Sequence, residues 1–447
     1  MTRLLKNILF CFNYFFLINN IYSSEQVQSL PTLIQKITVY TGTGMLLTDQ
    51  DVILENGLIK SIESHQENRD KSLFVIINGD KKFLTPGIID LHSHLGVIPN
   101  PGMEAHYDGN ESIDPNTANV WAQHAIWPQD AGFATALKGG VTSMQILPGS
   151  ANLFGGRSIV LKNKLKGSYQ EMVFPNSKQG LKMACGENPK RVYGSKGRPP
   201  ITRMGNVAGY RAAFAEAKDY LQSWKNYEME REKNPSTKMP KRDLKLDTLA
   251  GVLKGEILVQ NHCYRADEML NMVDLSKEFG YKISAFHHAV EFYKVAPTMA
   301  KLGICGAMWA DWWGFKMEAY DGVLQNAAIS HSFENSCVVI HSDDDIGIQH
   351  LYQEASKAYY AGLMMKIPLK KEDAISWITL NPARALELDS VVGSVTAGKM
   401  ADIVIWDKDP FSIYAKAQKV FIDGQIYYDE EKPELMESKK SDFLIGR

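Results

Sequence analysis

Between Ile88 and His341 the chain repeats one pattern: short apolar runs rich in β-branched residues alternate with longer stretches of helical periodicity. Such alternation is the signature of βα units that close around a parallel sheet, and few other architectures can absorb so many of them. Strands are predicted at 88–94, 141–147, 181–184, 257–262, 283–288, 304–309 and 338–341. Helices are predicted at 131–138, 208–224, 266–279, 297–302, 351–363 and 372–379. An eighth strand is expected between 158 and 174, where the pattern is ambiguous. The expected fold is therefore α/β, a (β/α)8 barrel over 87–388.

The flanks have a different texture. Residues 25–86 (ITVYTGTGMLLTDQDVILENGLIKSIES) and 389–447 (GSVTAGKMADIVIWDKDPF, KVFIDGQIYYD) read as short strands broken at Gly, Asn and Asp. Two such pieces on either side of a barrel suggest one discontinuous β-sandwich domain built from both chain ends. Residues 1–24 differ again: Arg3 and Lys6 precede an apolar run from Ile8 to Ile21, with Ser23 and Ser24 after it. This reads as a secretory signal peptide, because the run is short for a bilayer span and is interrupted by Asn13, Asn19 and Asn20. A retained membrane anchor is the minor alternative. An exported, periplasmic or secreted protein follows, with no membrane contact once the signal is removed.

With 49 basic and 51 acidic residues the net charge is -2, so no basic field supports nucleic-acid binding. A small molecule is the expected partner, and a homo-oligomer is compatible with the composition. Cys11 falls in the signal. Cys185, Cys263, Cys305 and Cys337 lie in or beside apolar runs, where a thiol behaves as a small buried hydrophobe, and they are expected to be unpaired.

In TPGIIDLHSHLGV, His92 and His94 stand two apart at the end of an apolar run. A strand's period of two points both side chains to one side, which inside a barrel is the interior. One buried histidine is commonly a satisfied core residue; two on one face at a strand's carboxyl end fit a metal better. Directly after this strand, residues 95–129 lack periodicity and are rich in Gly, Pro, Asn and Asp, at the place where a barrel carries its catalytic loops. That segment is read either as a substrate loop or as a solvated excursion.

The ordered series PGIIDLHSH, NHCYRADEM, FHHAVEFYKVA, IHSDDD and NPARALELDSVVGSVTAGKMADIVIWDKDPF resembles the amidohydrolase superfamily, with most similarity to its imidazolonepropionase-like branch, over about Ile37 to Tyr428. The resemblance implies a metal-dependent hydrolase acting on C–N bonds. By position it makes His262 the fifth-strand ligand, His288 the sixth-strand ligand, and Asp343 the last-strand aspartate that touches metal and shuttles the proton. Strand alternation lets only one of the adjacent His287 and His288 enter the barrel, and the family register favours His288. Asp344 and Asp345 are then solvent-exposed or substrate-binding. A second metal needs a bridging oxygen ligand, which would come from Glu187 or from a carboxylated Lys182. On a strand these two face opposite sides; Glu187 is favoured, being nearer the strand's end and needing no modification. A single metal, with both residues on a partly exposed rim, is the third possibility.

The implied cofactor is one or two divalent ions, with zinc favoured, lowering the pKa of a water that attacks the scissile carbon. Asp343 would take the proton and return it to the leaving nitrogen, and His288, where not a ligand, would stabilise charge on oxygen. For substrate binding the candidates are Arg157, Arg203 and His106, with Glu104, Tyr107 and His124 as weaker ones; either arginine fits a structural pairing as well. A deaminase on the same scaffold and a non-catalytic barrel are the rival readings.

Overall fold

The computed structural model describes residues 30–436, so the signal-like run and Cys11 lie outside the described residues. The chain begins in a sheet of β1 (Thr32–Tyr40), β2 (Leu46–Glu55), β3 (Leu58–Ser64), β4 (Val75–Asn78) and β5 (Phe83–Pro86). Eight strands then form the second sheet: β6 (Ile88–Ser93), β7 (Val141–Ile146), β8 (Phe154–Lys162), β9 (Gly180–Ala184), β10 (Leu258–Cys263), β11 (Ile283–His288), β12 (Cys305–Met308) and β13 (Cys337–Ile340). The chain returns to the first sheet through β14 (Ile403–Trp406), β15 (Ala417–Ile422) and β16 (Gln425–Asp429). There β14 lies antiparallel to β5, so both chain ends share one sheet and one core that includes Ile34, Val52, Leu84, Ile403 and Phe421.

The barrel strands follow in the order β6 to β13. The ends of this sheet meet through side chains and single backbone bonds. Asp343 N donates to His92 O at 3.0 Å, while the Ser342 hydroxyl donates to the buried Asp90 carboxylate, which also accepts from the backbone N–H of His92 and Ser342. Asp90 thus ties the first strand to the last beneath the mouth.

The eighth strand is present, but it runs the other way: β8 is antiparallel to both β7 and β9. Only residues 147–153 separate β7 from β8, too few for the crossover of a dozen or more residues that a parallel pair requires. The chain must therefore turn back as a hairpin. Its far end carries Lys162, fully buried, into the other domain, where Nζ sits 3.0 Å from Asp402 and also pairs with Asp423.

Helices 131–138 and 266–279 stand where the apolar periodicity puts them, and the predicted 208–224 extends to Arg203–Lys233, capped by Thr202, whose hydroxyl accepts from Gly205 N. Periodicity misses the helices Glu187–Gly194, Leu244–Leu253, Asn326–His331 and Leu380–Ala385, most of them too short to show a clear 3.6-residue repeat.

The cysteines are not free. Cys185 is bonded to Cys263 and Cys305 to Cys337, correcting the expectation of unpaired thiols. The reason is register: Cys305 and Cys337 are directly opposed on β12 and β13, and Cys185 follows the end of β9 alongside Cys263 at the end of β10. Apolar context identifies a buried cysteine but not the neighbour that strand pairing brings to it. Among the described residues no helix is long and apolar enough to cross a membrane.

Candidate metal centre

His92, the penultimate residue of β6, is the hub. Its Nε2 lies 3.3 Å from His94 Nε2, 3.1 Å from Lys182 Nζ and 3.3 Å from Asp343 Oδ1. His94 Nδ1 donates to Leu147 O at 2.8 Å, which leaves its Nε2 lone pair facing Asp343 Oδ1 at 3.1 Å. His288 Nδ1 lies 3.7 Å from the other carboxylate oxygen, and the His262 ring centroid is 4.4 Å from that of His288. The carboxyl ends of β6, β9, β10, β11 and β13 thus converge on one point, because parallel barrel strands all deliver their last side chains to the same mouth.

Both adjacent histidines enter the barrel, contrary to the expectation that only one can. His287 follows the strand's alternation inward, and His288 then leaves strand geometry with φ +69. Once the backbone is left-handed, alternation no longer decides where the side chain goes. Asp343 is likewise left-handed, at φ +54. Strained backbone at two neighbouring positions of one cluster is the kind of outlier found at functional sites.

Glu187 is not in the cluster, which corrects the preference for it as the bridging ligand. The strand stops at Ala184, and Gly186 takes φ +81 in a place where a Cβ would lie 2.6 Å from Glu318 Oε1. Glu187 therefore opens a helix, with its carboxylate 3.4 Å from Lys316 Nζ. Lys182, by contrast, is on the strand and fully buried beside His92. The substrate-binding candidates also lie apart from the cluster. Arg157 is a mid-strand residue of the reversed β8, bonded to Thr248 and Gln179 and stacked 4.4 Å over Trp121. Arg203 pairs with Glu268 and Glu318. His106, Glu104 and Tyr107 are exposed, with His106 against Trp127, and His124 stacks on Trp121. Asp344 accepts from the N–H groups of Ile346 and Gly347 and so caps the next turn rather than facing the site.

Three participants were not picked out from sequence. His341 directly follows β13, much as His262 and His288 end or nearly end their strands, a signal the sequence carries; its Nε2 accepts from His288 N at 3.3 Å. Tyr264 and Trp309 pack against the His288 ring at centroid distances of 5.2 and 4.4 Å. Nothing in their local sequence marks them.

Electrostatics make this cluster ready for a cation. Burial, reinforced by nearby cationic groups and by one another, pushes His92, His262, His287 and His288 well below the ordinary imidazole range, and burial takes His341 to about 3. All are neutral imidazoles at neutral pH. Burial would raise Asp343, but the close approach of His94 and the fields of His94, His341 and Lys182 outweigh it and hold the carboxyl low. Burial takes Lys182 down to about 7. The decisive fit is in what remains unpaired: the buried Nδ1 atoms of His262, His288 and His341 have no hydrogen-bond partner among the described residues. His92, His288 and His341, and likewise His92, His94 and Asp343, place ligand atoms within 4.8 Å of one another. Several neutral imidazoles and a carboxylate closing on one space is the donor set of a divalent metal.

Comparison with known proteins gives the family. The amidohydrolase family model matches residues 334–431. A solved amidohydrolase from Thermotoga maritima MSB8 superposes with a TM-score of 0.80 at 32% identity, covering 89% of this chain and 100% of that one. The chain belongs to the amidohydrolase family. Amidohydrolase tasK of Hapsidospora irregularis is 32% identical over 432 residues, which is 90% of this chain and 43% of the relative, so this amidohydrolase spans less than half the length of that curated protein. An imidazolonepropionase from Shewanella frigidimarina is 49% identical over 39 residues, 9% of this chain and 10% of that one. The superfamily generally uses divalent metals, which the histidine cluster of this member suits.

Proposed function

We propose that this amidohydrolase hydrolyses an amide, cyclic amide or peptide-like C–N bond of a small molecule, at a centre held by His92, His94, His262, His288, Asp343 and Lys182. The observation that supports this reading is the convergence of His92, His94, His288, Lys182 and Asp343 at the barrel mouth. One or two divalent cations, zinc by preference, would acidify a water and polarise the scissile carbon. Asp343, ionised at neutral pH, receives the water's proton at a carboxylate oxygen and returns it to the leaving nitrogen. His288, packed against Tyr264 and Trp309, keeps its ring oriented toward the reacting oxygen. Lys182, unprotonated for a large fraction of the time near neutral pH, could add carbon dioxide with loss of one proton, and the resulting carbamate would supply the carboxylate ligand for which Glu187 is badly placed.

The cluster's chemistry serves deamination of an aminated ring equally, so the test is a substrate panel of N-acyl amino acids, dipeptides, lactams and aminated heterocycles assayed with metal-replete protein. Cleavage within the first three classes supports the reading. Ammonia release confined to the aminated rings replaces it with a deaminase, and inactivity of fully metallated protein on every class speaks for a binding barrel. Export is part of the same proposal, supported by the signal-like run and by two disulfides, which persist in oxidising compartments.

A further inference from the structure

His92 presents its Nε2 to the cluster, and something must keep that nitrogen free of a proton. His94 has the common device, a backbone carbonyl that takes its Nδ1–H. His92 has no such carbonyl. Its Nδ1 instead faces His287 Nδ1 at 2.9 Å, and His287 Nε2 faces Gln260 Oε1 at 2.7 Å. All three side chains are buried, His287 and Gln260 completely, so water does not arbitrate between them.

Two facing imidazole nitrogens share one proton, and only two arrangements of the chain satisfy every link. In one, His287 donates Nε2–H to Gln260 Oε1, its Nδ1 is a lone pair, and His92 donates Nδ1–H to it. His92 Nε2 is then a lone pair that can accept from Lys182 at 3.1 Å and ligate a metal. In the other, the Gln260 amide donates to His287, His287 donates to His92, and His92 Nε2 carries a hydrogen into the cluster where a metal would bind. Gln260 presents Oε1, an acceptor, to His287, which corresponds to the first arrangement.

We propose that Gln260 and His287 are positioning residues that fix the Nδ1–H tautomer of His92 and so set its readiness as a ligand, His287 itself not being one. This rests on the metal-dependent reading of the site. It goes beyond the ligand set by assigning a buried side-chain relay where a carboxylate or carbonyl usually stands.

The experiment titrates metal-free full-length protein with zinc against a competing chelator, for the wild type and for Gln260→Met, His287→Leu and His287→Gln. Gln260→Met and His287→Leu are expected to weaken binding by about 10- to 100-fold. His287→Gln, whose amide reproduces the relay's polarity by accepting from His92 and donating to Gln260, is expected to bind within several-fold of the wild type. A second measurement needs no variant: ring ¹⁵N–¹H correlation of metal-free wild type shows His92 protonated on Nδ1. Wild-type affinity in Gln260→Met, a loss in His287→Gln as large as in His287→Leu, or a proton on His92 Nε2 overturns the relay. Failure of the wild type itself to bind zinc or any other divalent ion overturns the metal reading instead.

Discussion

Lys182 gives the most quantitative handle on the site. A lysine reacts with carbon dioxide only as the free amine, losing one proton as the N–C bond of the carbamate forms, and burial lowers this amine from 10.5 to about 7. The neutral fraction therefore rises from roughly a tenth at pH 6 to about nine-tenths at pH 8, a tenfold gain that then levels off. An unshifted lysine would gain about a hundredfold over the same interval and go on rising to pH 10. The assay incubates metal-free protein with ¹³C-labelled carbon dioxide at fixed dissolved concentration and follows the carbamate carbon by NMR, with Lys182→Met as the blank. One carbamate per chain is expected, its initial rate rising tenfold between pH 6 and 8 and flattening beyond. Zinc added with bicarbonate should then load more metal than zinc alone. Glu187→Gln should leave metal content unchanged, since that carboxylate pairs with Lys316 rather than with the cluster. The reasoning is refuted by a wild type that forms no carbamate while Glu187→Gln loses a metal ion.

Asp343→Asn is expected to lose turnover by a factor of about 100 to 10,000 while retaining at least one metal ion, because an amide offers oxygen but takes no proton; steady-state kinetics with metal analysis checks both. Lys162→Ala removes the cation that pairs with the buried Asp402 and should cost about 3–5 kcal/mol in denaturant unfolding, with the barrel cluster left intact. Metal-free protein should lose stability on acidification. Five buried histidines have folded pKa values below the unfolded one of 6.5, so their contribution is present above pH 6.5 and is lost as pH falls through the interval down to about 3, where His341 charges. Asp90, raised to about 7 by burial, opposes this by favouring the folded state as pH falls from 7 to 3.8, as do Asp402, Glu268 and Glu354, also raised by burial, against the five histidines. Urea midpoints at pH 7 and pH 5 measure the balance, and a higher midpoint at pH 5 would contradict it.

Much of this was legible from sequence because a barrel strand writes its periodicity and its ending plainly. His92, His94, His262 and Asp343 each terminate or follow an apolar run, and such endings share one mouth. What sequence could not show is where regular geometry fails. The reversal of β8 depends on the seven residues 147–153 being too few to cross over, which put Arg157 in mid-strand rather than in a binding loop. A left-handed backbone at His288 let both histidines in, and a left-handed Gly186 turned Glu187 out. The disulfides depend on which strands are neighbours, a long-range fact that apolar context does not carry. The Gln260–His287–His92 chain likewise joins residues on two strands to a third far away in sequence.

The most direct test of the central claim is elemental analysis of purified wild type beside His92→Ala, with both assayed on the substrate panel. His92 belongs to both groups of side chains whose ligand atoms lie within 4.8 Å of one another, and the account predicts one to two divalent ions per wild-type chain. In His92→Ala it predicts loss of most of that metal together with nearly all C–N hydrolysis. Full metal occupancy in His92→Ala, or hydrolysis by wild type stripped of metal, would contradict it.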